Sequence, residues 1–259
     1  SYVKIIQDSL PDQQEPSLIF LARKNYSSND YKESNIYYTM LLDIASSNSI
    51  KRESIIRLMI GNEYIDKVLS LQYAKQVIEF DKIDNWLLSK AYIIIARNEF
   101  DSGNYAKSKL TFERIIKLSD YDEGAEAKYH LAYLTYLDDN LDIAEELIFS
   151  LAEDYSNDHF IAKAFILLSD IYVAKDNIFQ AKATLESVIE NHDDEDLVNF
   201  ARSKWEIIVE NNQDTPVNEV VEQSFIEISE YDFEYEVDED YIVPIPAVIN
   251  VEIDSLDKK

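Results

Sequence analysis

Carboxylates and imidazoles are the first groups in this chain to weigh for chemistry, since the sequence carries 51 Asp and Glu, three His and no Cys. Without thiols there is no disulfide, no cysteine nucleophile and no thiolate-bound metal. His130, His159 and His192 are isolated from one another, so none forms a paired ligand set, and each reads as a surface or groove-lining imidazole. Acid pairs such as Asp138-Asp139 and Glu145-Glu146 suit solvated turns and helix faces better than paired general acid and base work, since acids abound everywhere. The run 193–196 and Asp238-Glu239-Asp240 offer oxygens to a calcium ion but lack the central Gly and the ligand spacing of an EF-hand loop; helix capping accounts for the first. No phosphate-binding loop, dinucleotide fingerprint, HExxH pair or nucleophile elbow can be written from these residues. The sequence therefore calls for no cofactor and no metal, and points away from an enzyme. An all-α toroid with carboxylates at its centre is the enzymatic alternative, and it would show more Gly and polar residues gathered at one end of its helices.

The elements that would position any site are helices. In 259 residues with 46% hydrophobic content there are only three Gly and five Pro, which suits helices joined by short polar loops. A net charge of -27 argues against phosphate backbones and anionic membrane surfaces as partners, both of which need concentrated Lys and Arg. No apolar run approaches the 18 residues of a membrane span. The lack of Cys leaves the compartment open.

From Ala162 to Asp193 two amphipathic helices stand back to back: Phe165, Leu168, Ile171 and Tyr172, then Ala181, Leu185, Val188 and Ile189, around a polar turn at Lys175 to Asn177. Small Ser169 and Ala181 fall where the two helices must approach closely. Neither helix buries its stripe alone. The pattern of aromatic, Leu, small, Tyr, then Ala, large and apolar resembles the tetratricopeptide (TPR) repeat. Further pairs begin near 15 (Leu18, Leu21, Ala22, Tyr26; Tyr31, Tyr38, Leu41), 51 (Leu58, Val77), 89 (Tyr92, Ile95, Ala96; Phe112, Ile115) and 125 (Leu131, Ala132, Tyr136; Leu141, Ala144, Ile148, Leu151). The pair near 51 is degenerate, with Arg57 where Leu is expected and no clear turn between Asn62 and Val68. Lys128 replaces the aromatic of its repeat, and Tyr129 beside it covers the position. Val3, Ile6 and Pro11 match the end of a truncated repeat over 1–11, which implies a fragment of a longer protein. Leu197, Phe200, Ala201, Trp205 and Ile208 form one further helix, 197–210, that caps the last repeat.

The resemblance thus implies an all-α, right-handed TPR superhelix of about five helix pairs with a capping helix over 1–211, followed by an acidic tail at 212–259. From Asp214 to Asp257 there are 14 acids and no Lys or Arg. There Tyr231, Phe233, Tyr235 and Val237 alternate with acids, and Ala247, Ile249, Val251 and Ile253 alternate later, so the expectation is an extended, strand-forming segment around Pro244 and Pro246.

As function, the resemblance implies a scaffold or adaptor that binds a peptide or protein segment in a concave groove. In the family's register Arg23, Lys90, Ile93, Arg97, Phe100, Tyr129, Tyr133, Tyr136, Lys163 and Ile166 line it, placing basic and aromatic groups on one surface of an acidic protein. The acidic, aromatic residues 225–253 are an in-chain occupant for that groove. The phrasing AKAFILLSDIYVAKDN resembles TPR proteins of the bacterial cell envelope, which implies a periplasmic or envelope setting in an assembly or secretion complex. A structural spacer within a longer solenoid is the alternative.

Overall fold

The structure, a computed structural model, describes residues 11–211. The rest of the truncated repeat expected over 1–11, and the acidic tail with its expected strands, lie outside the described residues. Among the described residues there are eleven helices and no strand: α1 (Pro11–Ser27), α2 (Tyr31–Ile44), α3 (Asn48–Gly61), α4 (Lys67–Val77), α5 (Asn85–Asp101), α6 (Tyr105–Ile116), α7 (Asp122–Leu137), α8 (Leu141–Asp154), α9 (Asp158–Ala174), α10 (Ile178–Asn191) and α11 (Glu195–Asn211). From α1 to α10 each helix packs on the next, and the first helices of neighbouring pairs also touch, α5 on α7 and α7 on α9.

Pairing follows from one contact repeated in every unit. Ala22, Met59, Ala96, Ala132 and Ser169 on the first helices are fully buried, as are Ser34, Ser70, Ser108, Ala144 and Ala181 on the second. Small groups at all of these points but Met59 let two backbones approach. In the first two pairs the approach is close enough for a hydrogen bond, Ser34 Oγ to the Ala22 carbonyl at 3.0 Å and Ser70 Oγ to the Met59 carbonyl at 2.8 Å.

The turn inside each pair is set just as locally. Asn29, Gly103, Asp139 and Asp176 adopt positive φ, between 57° and 72°. In each case the next residue's N–H reaches five residues back, as in Asn104 to Glu99 and Asn177 to Tyr172, both 2.8 Å. These bonds close the first helix in a Schellman motif, where only Gly, Asn and Asp are at ease in the left-handed region. The second pair departs from this. Its connection, Asn62 to Asp66, contains no positive-φ residue, and Asp66 instead caps α4 by accepting from the Val68 and Leu69 N–H groups. That is the turn not evident between Asn62 and Val68 in the sequence. The register also moves by one: Leu58 fills the expected Leu position at 1% exposure, while Arg57 lies with its guanidinium 4.3 Å over the Tyr26 ring. Helix starts fall about four residues before the sequence-expected positions, and Pro11 opens α1 at a position where its missing N–H costs nothing.

Three apolar clusters follow one another along the stack, and α7 belongs to two of them. Ala127 and Leu134 pack toward α5 and α6, while Ala125, Tyr129 and Ala132 pack toward α8 and α9. With both flanks covered, its charged residues Glu123, Glu126 and Lys128 are buried too. Lys128 reaches Asp154 across the Tyr155 ring, and Tyr129 takes the packing position that Lys128 vacates. Gly124 is required by close approach. A Cβ there would lie 2.1 Å from the Ser119 carbonyl oxygen and 2.6 Å from the Tyr155 hydroxyl, so any side chain must push backbone aside.

Candidate interaction face

The side chains expected to line a groove divide into three groups. Ile93 and Ile166, at 0% and 3% exposure, are core residues, and Tyr129 at 6% joins them; no ligand could touch them without displacing the neighbouring first helices. This corrects their place in the expected groove. One step along the helix decides it: residues three before the small contact residue point between first helices rather than out of the stack.

The cations make up the second group, and they are already engaged. Arg23 on α1 forms a two-pronged pair with Glu53 on α3, at 2.7 and 2.6 Å. Arg97 on α5 grips Glu126 on α7 through Nε and Nη2, and its Nη1 donates to Glu63 at 2.6 Å. Lys90 on α5 holds Glu123 on α7 at 2.6 Å. On α9, Lys163 lies 5.3 Å over the Tyr129 ring and 5.7 Å over Phe160, with burial pulling its pKa down against the charge of Glu126. The family-register reading anticipated basic groups facing solvent for a ligand; the structure uses them to tie one repeat to the next.

Two of these ties obey a register rule. The residue after the small contact residue of one first helix meets the residue six before it on the next, as Arg23 meets Glu53 and Arg97 meets Glu126, 30 and 29 positions apart. The partners Glu53, Glu63, Glu123 and Glu126 were not singled out in the sequence. Aligning the repeats on Ala22, Met59, Ala96, Ala132 and Ser169 sets Arg23 against Glu53 and Arg97 against Glu126 at these two positions, the signal that finds those two carboxylates; Glu63 and Glu123 lie at other positions.

Phe100, Tyr133 and Tyr136 are the third group. They are half-buried on α5 and α7, and Tyr105, 47% exposed at the start of α6, joins them. The Phe100 ring centroid is 5.4 Å from Tyr105 and 6.0 Å from Tyr133. Asp170 on α9 borders this row, held by Lys204 of α11 at 2.8 and 3.0 Å. A second exposed aromatic, Tyr64, stands at the Glu63, Arg97 and Lys90 cluster, whose charges act on its hydroxyl after burial.

Two histidines lie behind the face. His130 stacks on Phe112 with centroids 4.9 Å apart and packs against Phe100 and Tyr129; its Nδ1 is buried without a hydrogen-bond partner. Burial pushes its pKa down to about 4, with Lys163 and Arg97 adding to the effect and Glu126, 3.9 Å away, opposing it. His159 meets Asp194 at 3.3 Å, and Asp194 caps α11 by accepting from the Asp196 and Leu197 N–H groups, the capping expected of the acidic run. The described residues contain no group of three or more His, Cys, Asp or Glu arranged to hold a metal, and no helix long and apolar enough to cross a membrane.

The neutral state of His130 has a measurable consequence. Its folded pKa lies below the ordinary value of 6.5, so between about pH 6.5 and 4 the unfolded chain binds the extra proton and stability falls as pH falls. His130→Phe keeps the stack and removes the titration. The unfolding free energy of the wild type relative to this variant should drop by up to about 3 kcal/mol from pH 7 to pH 4. Parallel curves for the two proteins across that range would contradict the buried neutral imidazole.

Among solved structures, the chain is similar to the crystal structure of YrrB, described as a TPR protein with an unusual peptide-binding site. Identity is 17% and the TM-score 0.51, over 78% of this chain and 98% of that one. The crystal structure of TTC0263, a thermophilic TPR protein in Thermus thermophilus, matches at 15% identity and a TM-score of 0.43, over 75% of this chain and 98% of that one. The sequence matches no family model and no curated protein. At such identities the likeness concerns the fold, and with the consecutive helix pairs it defines this chain as a TPR-like α-solenoid.

Proposed function

We propose that the chain is a non-enzymatic scaffold that holds an extended peptide or protein segment along the first-helix face of α5, α7 and α9. The observation that carries this reading is the aromatic row of Phe100, Tyr133 and Tyr136: it crosses from one repeat to the next on helices that touch, so it is longer than any single repeat. Partly exposed rings supply contact area at little conformational cost, which suits a recognition surface. The fold adds support, since solenoids present long faces built from equivalent positions. A bacterial envelope assembly or secretion complex is the setting in which we place this scaffold, on the phrasing of residues 162–177.

Residues 225–253 are the in-chain occupant to set against an external partner. An acidic segment needs available cations, whereas Arg23, Lys90 and Arg97 already hold carboxylates, so the ion pairs favour the external partner. The test is selection of a random peptide library on the full chain and on Tyr136→Ser. Enrichment of related peptides by the wild type, lost in the variant with helicity unchanged, is the expected result. No enrichment on either protein would leave a structural spacer instead.

A further inference from the structure

Building on that scaffold reading, we infer that the row of Phe100, Tyr105, Tyr133 and Tyr136, bordered by Asp170, selects a basic segment and takes its Lys or Arg side chains against the ring faces. The first argument is one of exclusion. An anionic ligand at Arg23, Lys90, Arg97 or Lys204 would compete for the cation with Glu53, Glu123, Glu126 or Asp170. Glu123 and Glu126 are 4% and 5% exposed, and a buried carboxylate stripped of its partner is strongly unfavourable. A cationic ligand leaves these ion pairs in place. Each oxygen of Asp170 accepts one hydrogen bond from Lys204 and retains a lone pair, so the carboxylate can accept a further donor.

The second argument is chemical fit. Rings attract cations through their negative faces, and the chain satisfies its own cations in this way: Arg57 over Tyr26 at 4.3 Å, Arg114 over Tyr92 at 4.9 Å, and Lys204 over Phe200 at 5.3 Å. Burial, with the charge of Asp170 behind it, raises the hydroxyl pKa of Tyr136, so that ring stays neutral and donates hydrogen bonds at any physiological pH. The third argument is long-range. Of the 51 acids, 14 lie beyond residue 211 together with two of the 24 Lys and Arg, which leaves 37 acids against 22 cations in residues 1–211. That excess draws a basic partner in and repels an acidic one.

The experiment uses three labelled twelve-residue peptides on one Gly-Ser-Leu frame, bearing four Lys and Arg, four Glu, or no charge, titrated by fluorescence anisotropy against the full chain at two salt concentrations. The basic peptide should bind at least about tenfold tighter than the neutral one, with the acidic one weakest. Tyr133→Leu/Tyr136→Leu preserves charge and apolar bulk, and should weaken the basic peptide by about 2- to 30-fold per ring, while Tyr133→Phe/Tyr136→Phe restores binding. Diffuse attraction to an acidic protein would be indifferent to both variants, so equal affinity in wild type and the Leu variant overturns the inference. Tighter binding of the neutral or acidic peptide at these rings overturns it too and leaves the scaffold standing. Binding of none of the three, together with no enrichment from the library, sinks both readings.

Discussion

Arg97→Met should destabilise the protein by about 3–5 kcal/mol, far more than the loss of an ordinary surface ion pair. Burial decides the magnitude. The guanidinium is shared between Glu126, at 5% exposure, and Glu63, and without it the Glu126 carboxylate stays enclosed by α5, α7 and α9 with no fork to bind it. Burial alone would raise the Glu126 pKa, yet charge and hydrogen bonds from Arg97 outweigh it and hold the group below its ordinary value. A carboxylate of that kind contributes stability above its unfolded pKa and loses it as pH falls through the folded one. In Arg97→Met that contribution disappears at neutral pH. Adding Glu126→Gln should recover most of the loss, because a neutral amide removes the stranded charge. Arg23→Met is the contrast: its side chain is 54% exposed and should cost no more than about 1 kcal/mol, although it holds Glu53 with the same two-pronged geometry. Chemical denaturation of the four proteins settles the matter. A stable Arg97→Met that had lost only peptide binding would make this arginine a ligand group rather than a tie between repeats.

The second large effect is expected at Leu168. It is 2% exposed within the cluster that joins α7, α8 and α9, and shortening it to Ala should cost about 2–5 kcal/mol through lost burial and the cavity left behind. Its distribution along the chain matters as much as its size. In a repeat stack each pair is stabilised mainly by its neighbours, so loosening α9 should release α9 to α11 before the rest. Hydrogen exchange should quicken in α9 to α11 and remain near wild type in α1 and α2, whose core is the separate cluster around Leu18, Tyr37 and Leu41. A change within about 0.5 kcal/mol, the size of a surface substitution, would place Leu168 outside the core and shift the register of the whole repeat.

The fold was legible wherever its causes are local in sequence. Helical spacing of Phe165, Leu168, Ile171 and Tyr172, a small residue at most of the close contacts and Asn, Asp or Gly at the left-handed turn position recur at nearly constant intervals, and one supersecondary unit follows from them wherever they occur. The second pair was the hardest to read for the same reason. Its turn dispenses with the left-handed residue and relies on the Asp66 cap, and Met59 stands at a contact where every other pair has Ala or Ser.

The face was less legible, because residue type at one position does not say what a neighbouring repeat brings to it. Arg23, Lys90 and Arg97 look like ligand groups until the carboxylates about 30 residues later are folded against them, and Ile93 and Ile166 look accessible until the folded stack buries them. His130 is an isolated imidazole in sequence, and its neutrality exists only because α5, α6 and α7 close rings around it. The sequence by itself determined the helices, their pairing and the type of solenoid, since each depends on residues within one repeat. Tertiary structure decided which charges are spent as ties and which rings stay partly exposed, since stacking successive repeats brings together groups that no local pattern connects.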